Sequence, residues 1–261
     1  MLLAIDVGNT NVVFALVEGQ EILHRWRIAT THARTADEYA VWITQLMALE
    51  GLERGAVDAA IISTVVPPTL FHLKRLCTRY FDVEPLVIGD PDVDPGVGIN
   101  VPNPKEVGAD RIVNSAAALA TYGGDLIVVD FGTATTFDTV IGGAYVGGAI
   151  APGITLSMEA LYAAAAALPR IAIEPPAQGR GLAQGTVPAM QSGVFYGYVG
   201  LVEGLVARIT SDMQAFGSDG PVTVIGTGGL AGLFNRHTDA IHVVDGDLTI
   251  KGLALIHSRN T

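Results

Sequence analysis

The 261 residues are 49% hydrophobic and only 16% charged, enough apolar material for one large core or two medium ones, which excludes a disordered or low-complexity chain. Fifteen basic against 26 acidic residues leave a net charge of −11, a field that repels phosphate backbones and anionic membranes, so neither nucleic acid nor a membrane is an expected partner. A single cysteine, Cys77, permits no internal disulfide and no cysteine-based metal cluster, and makes the cytoplasm the expected compartment.

The opening MLLAIDVGNT lacks the charged lead, apolar stretch and cleavage site of an export signal, because Asp6 interrupts the hydrophobic run at once. The apolar windows at 126–129 and 160–168 fall far short of the ~20 residues that a membrane helix needs. Residues 2–5 read as a buried strand ended by Asp6, Gly8 and Asn9, followed by strands over 12–17 and 22–28. The spacing then predicts a helix over 35–49, a strand over 59–62, a helix over 68–80 with proline at its start, and a strand over 85–88. Residues 89–107 read as a loop longer than the usual connection, hence either disordered or functional. GADRIVNSAAALATY follows with a helical pattern that puts Asp110 and Arg111 near its amino terminus.

At residue 125 the opening theme returns. An apolar run at 126–129 leads into Asp130, Phe131, Gly132 and Thr133, then strands over 137–141 and 145–150 and a helix over 155–168. DVGNT and DFGTATT thus open matching strand, acidic turn and strand units, an internal duplication that governs the expected fold. The expected boundary lies near Ala116, giving domains over 1–116 and 117–261. An irregular stretch over 169–185, a long helix over 187–216, a strand over 222–225, the glycine cluster GTGGLAG, a strand over 241–244 and a helix over 248–256 complete the chain.

A carboxylate at a strand end, then glycine, then small polar residues can cradle a phosphate: glycine lets the backbone approach, and the carboxylate can hold a cation or an ordered water. A single copy reads equally as a glycine turn capped by an aspartate. Two copies in matched settings favour an anion site, one copy on each wall of a cleft. GTGGLAG could approach a base or ribose. Gly226, Gly228 and Ala231 nearly match a dinucleotide fingerprint, with Asp245 as its acid, but too little chain follows for a full βαβ unit. Asp110 beside Arg111 offers a base and an anion clamp, or a helix-start ion pair. None of the six histidines has ligand spacing, and no GxSxG, Walker lysine loop or HExxH is present.

DVGNT, EVGADR (106–111), DFGTATT (130–136), the PGI at Pro152, TVPAMQSGVFYGYVG (186–200) and DLTIKGL (247–253) together resemble the type III pantothenate kinases, in order along nearly the whole chain. The resemblance implies an α/β fold of duplicated ribonuclease H-like, actin-like ATPase domains, with mixed five-stranded sheets flanked by helices. It further implies an ATP-dependent kinase making 4′-phosphopantothenate, the first committed step toward coenzyme A, in a cytoplasmic homodimer. By the same resemblance Asp6, Val7, Gly8, Asn9, Thr10, Asn11, Val12 and Val13 would line the ATP phosphates, and Thr133 would bind ATP. Asp130 would ligate potassium or ammonium, Mg²⁺ would travel on the nucleotide, and Asp110 would be the proton acceptor. Gly108, Ala109, Asp110, Arg111 and Thr186 would contact pantothenate. The chain has Val101 where the family commonly has tyrosine on the pantothenate side, and Gly185 where an asparagine precedes the threonine. Two rival readings stay open: a nucleotide-binding regulator without kinase activity, in line with the name Bvg accessory factor used for some members, and a kinase of the same superfamily for another small hydroxylated acceptor.

Overall fold

A computed structural model describes residues 1–165, 167–177 and 179–261. Ala166, inside the helix expected over 155–168, and Gln178, inside the expected irregular stretch, lie outside the described residues. Contacts divide the chain into two units: Met1–Gly123 with Gly143–Tyr145 and Asp247–Thr261, and Gly124–Gly142 with Val146–Gly246. The boundary expected near Ala116 falls inside a helix, Ala109–Tyr122, and the division comes after it, at a pair of glycines with positive φ. The carboxy-terminal helix, expected in the second domain, groups with the first unit.

In the first unit β1 (Leu2–Val7), β2 (Asn11–Glu18) and β3 (Glu21–Ala29) form an antiparallel meander. Helix α1 (Ala36–Leu49) follows, then β4 (Ala59–Thr64), α2 (Pro67–Leu76) and the short β5 (Leu86–Val87). β1 pairs in parallel with β4, and the sheet order is β3-β2-β1-β4-β5. The run of apolar residues in β1 is continuous because this central strand is buried on both faces, whereas edge strand β3 alternates exposed and half-buried residues. Leu3, Ile5, Phe14, Leu16, Tyr39, Ile43 and Met47 are among the fully buried side chains of this core. Thr35 and Glu38 form a reciprocal capping box at the start of α1, worth about 1 kcal/mol. Proline at the first turn opens α2, which ends at Leu76 and passes into one wider turn over Cys77–Phe81.

The long connection over 89–107 is ordered. It contains β6 (Gly98–Ile99), which pairs with Ala144 and Tyr145, and Asp94 is pinned to the end of the last helix. Asp94 accepts from Arg259 Nε at 2.6 Å, and its backbone exchanges hydrogen bonds with the Asn260 amide. Then comes α3 (Ala109–Tyr122), with residues 112–118 buried.

The second unit repeats the plan with β7 (Asp125–Phe131), β8 (Ala134–Ile141), β9 (Ala144–Pro152), α4 (Ile154–Ala164), α5 (Thr186–Ala215), β10 (Val222–Gly228), α6 (Ala231–Phe234) and β11 (Val243–Val244). Its strand order, β11-β10-β7-β8-β9, matches β5-β4-β1-β2-β3, so the duplication seen as sequence motifs is also one of topology. The sheet counts a sixth strand because β6 adds to the first residues of β9. Helix α4 ends at Ala164, short of the expected 168. Helix α7 (Leu248–Arg259) closes the chain and packs on α3, where a Cβ on Gly252 would stand 2.6 Å from the Val113 carbonyl oxygen.

Candidate functional site

Asp6 sits one residue before the end of β1, opposite Val13 of β2 and level with Ser63 of β4. The turn beyond it is held from within: the Gly8 N–H donates to the Asn11 carbonyl at 2.9 Å. It is also held from the end of β3, where the Thr30 N–H reaches the Thr10 carbonyl at 2.9 Å and Thr30 Oγ1 reaches the Gly8 carbonyl at 2.7 Å. Asn9 and Thr10 are left exposed at the tip. Val7 and Val12 are buried in the core of the unit, so their part in any ligand site is confined to backbone atoms.

Gly108 caps α3 and Asp110 lies in its first turn, where Asp110 Oδ1 accepts from the Arg111 N–H at 2.8 Å. A Cβ on Gly108 would stand 2.6 Å from Asp110 Oδ1 and 3.4 Å from Val65 Cγ1, so glycine is what lets the carboxylate fold back over the helix start. The Arg111 guanidinium lies over the buried Tyr145 ring, 5.5 Å from its centroid. The helix beneath is fixed by the α7 contact and by Thr249 Oγ1 donating to Asn114 Oδ1 at 2.7 Å. Val101 is half-buried in the loop before α3.

These elements bring the charge of Asp110 to bear on the carboxyl of Asp6. Burial, and after it the charge of Asp110, pushes the Asp6 pKa up to about 7, against a lowering by the Ser63 hydroxyl. Burial also raises Asp110, opposed by the N–H and the guanidinium of Arg111. Of the expected site residues, Asp6 and Asp110 are thus near enough within the first unit for the charge of one to act on the other.

In the second unit Asp130 occupies the position of Asp6, opposite Thr136 of β8 and level with Thr227 of β10. Its turn is one residue tighter, with Phe131 paired to Thr135 where Val7 pairs to Val12 across a longer loop. The Gly132 N–H donates to the Ala134 carbonyl at 3.1 Å, and the Gly153 N–H to the Thr133 carbonyl at 3.1 Å. A Cβ on Gly153 would lie 2.3 Å from that carbonyl oxygen. Thr133 is exposed beside this close contact.

The glycine cluster does something that the sequence reading missed. Gly228, at φ +87°, packs its bare α-carbon against the second turn: a Cβ there would stand 2.6 Å from Asp130 Oδ1 and 2.7 Å from the Phe131 carbonyl oxygen. Gly226 packs instead under Ile241. Only the four-residue α6 and one short turn follow β10 before β11, in keeping with the rejection of a dinucleotide fingerprint. The signal that could have found Gly228 is positional, since β10 stands to β7 as β4 stands to β1.

Thr186 opens α5 and is exposed. Gly185 before it adopts φ +99°, ψ 154°, a conformation open essentially to glycine alone. Among the described residues no cluster of three or more His, Cys, Asp or Glu side chains could hold a metal, and no helix is long and apolar enough to cross a membrane. Cys77 is buried, its thiol pushed up to about 12 by that burial.

A family model described as type III pantothenate kinase matches residues 2–208. The type III pantothenate kinase of Rhodospirillum rubrum is 58% identical over 261 residues, spanning 100% of this chain and 99% of the relative. Among solved structures, a chain from Campylobacter jejuni described as a Baf family transcriptional activator superposes with a TM-score of 0.58 at 18% identity, covering 99% and 98% of the two chains. A protein from Listeria monocytogenes described as an N-acetylmannosamine kinase superposes with a TM-score of 0.55 at 14% identity, covering 99% and 98%. At such identities the solved structures carry the fold alone, and that fold is the duplicated α/β, actin-like arrangement of the sugar kinases. With a family model over most of its length and a relative at 58% identity end to end, the chain belongs to the type III pantothenate kinase family.

Proposed function

We propose that this protein transfers the γ-phosphoryl group of ATP to the primary hydroxyl of pantothenate, giving ADP and 4′-phosphopantothenate, the first committed step toward coenzyme A. The observation that carries the reading is the convergence of Asp110 and the Asp6 turn in one unit of a chain that matches its family along its whole length. Phosphoryl transfer passes through a loose transition state, so the protein's work is positioning and charge neutralisation.

Asp110 accepts the hydroxyl proton as the oxygen attacks the γ-phosphorus, and the bond to the β-phosphate oxygen breaks. Burial raises the basicity of its carboxylate, Arg111 opposes that rise, and the same guanidinium pairs with an anionic group of the acceptor. Gly108, Ala109, Arg111 and Thr186 contact pantothenate, and Val101 lies on the same side of the acceptor. The turn of residues 6–13 lines the ATP phosphates, and Thr133 binds ATP.

A divalent cation suits Asp6, whose carboxyl is held at a pKa of about 7 by burial and by the negative charge of Asp110, both of which a bound cation would offset. Mg²⁺ needs no more than one or two carboxylates beside the phosphates, and bound there it offsets their negative charge. Asp130 suits a monovalent cation, potassium or ammonium, because it sets a carboxylate at the end of β7 beside the exposed turn of Gly132 and Thr133. The active form is a cytoplasmic homodimer.

The test couples ADP release to NADH oxidation while pantothenate and a panel of other hydroxylated acids and sugars are offered in turn. ADP on pantothenate alone supports the reading. ADP on another acceptor assigns a different substrate, and ATP binding without turnover on any acceptor makes the protein a regulator. Sedimentation in solution tests the dimer.

A further inference from the structure

We propose that Tyr198 is a positioning residue for the second phosphate turn, acting through its hydroxyl; this deepens the kinase reading and rests on the assignment of Thr133 to ATP. Tyr198 comes from the middle of α5 and is only 6% exposed, its ring centroid 6.4 Å from that of Phe131 and 5.2 Å from that of Phe234. Phenylalanine would fill such an aromatic cluster without bringing a polar atom that must be satisfied.

The phenol oxygen is satisfied at two places. It shares a hydrogen bond with Thr135 Oγ1, and it reaches the start of α4, where it donates to the Pro152 carbonyl at 3.5 Å. Those two places flank the turn. Thr135 follows Ala134, whose carbonyl takes the Gly132 N–H, and Gly153, between Pro152 and Ile154, donates to the Thr133 carbonyl. One hydroxyl thus ties together both segments that hold Gly132 and Thr133, and a buried network of this kind rigidifies what it joins. Its loss leaves the ring packing in place and loosens the turn that faces the nucleotide.

The experiment measures the affinity of full-length wild type, Tyr198→Phe, Thr135→Val and the double variant for a non-hydrolysable ATP analogue by calorimetry, with KM for ATP and for the acceptor measured alongside. The expected result is about tenfold weaker analogue binding and higher KM for ATP in each single variant, an unchanged KM for the acceptor, and no further loss in the double variant. Wild-type analogue affinity in Tyr198→Phe overturns the proposal, as does an equal rise in both KM values, the mark of general loosening. Failure of the wild-type protein to bind the analogue overturns the kinase reading instead.

Discussion

The carboxyl groups of Asp6 and Asp110, more than a hundred residues apart in sequence, are electrostatically coupled: the charge on Asp110 helps hold Asp6 at a pKa of about 7. One carboxyl lies in the turn assigned to phosphate and the other in the role of base, so the proton of one is felt by the other.

Asp110→Asn separates these effects. Loss of the base should lower kcat by about 10² to 10⁴. Removing its charge should also let Asp6 ionise at lower pH, so the acid edge of nucleotide binding moves down. Titrating the affinity for a non-hydrolysable ATP analogue against pH in both proteins measures the second effect apart from turnover. An unmoved edge would remove the coupling, and wild-type kcat would remove the base.

Asp6→Asn should trade function for stability. A carboxyl whose folded-state pKa lies above its unfolded value is more readily ionised in the unfolded chain, so the folded state loses stability as pH rises from about 4 to about 7. The Tm of the variant should therefore exceed that of wild type by a margin that grows across this window and levels off above it, while ATP affinity collapses. Thermal melts at half-unit pH steps decide the matter, and a margin independent of pH contradicts it.

Gly228→Ala should destabilise the second unit and weaken ATP binding together. The added methyl meets Asp130 Oδ1 and the Phe131 backbone at 2.6–2.8 Å, and alanine strains at φ +87°. A cost of about 1–3 kcal/mol is expected for the backbone conformation alone. Urea titration reads the stability and KM for ATP reads the turn. Gly229→Ala, whose Cβ would enter open space, is the control expected to leave both unchanged.

The sequence exposes the elements but not the partnerships. Apolar runs, the glycine turns and the helix-opening prolines locate β1 to β4, α1 and α5 to within a few residues. The strand expected to end at residue 5 continues to Val7, because backbone pairing with β2 and β4 carries on through a polar residue. The duplicated DVGNT and DFGTATT motifs foreshadow the matching strand orders. By contrast, the Gly228 contact depends on β10 pairing in parallel with β7 from almost a hundred residues away. The order of the loop over 89–107 likewise depends on Arg259 and Asn260 at the far end of the chain. Local patterning carries no trace of such distant contacts. Gly185 is the reverse case: the departure from asparagine was visible, and the backbone at φ +99° supplies its reason.

Asp130→Ala tests the remaining assignment. The carboxylate stands at a strand end, in a turn whose backbone is held by the Gly132 and Gly153 N–H groups, and its Oδ1 packs against Gly228, so thermal melts of the variant accompany the activity measurements. If Asp130 ligates a monovalent cation, activity of the wild type should rise with potassium at constant ionic strength and the variant should show no such rise. Exchanging potassium for sodium or a bulky organic cation separates ligation from general screening, which acts equally on both proteins. Potassium stimulation that persists in the variant moves the cation elsewhere, whereas a loss of stimulation with unchanged thermal stability assigns it to Asp130.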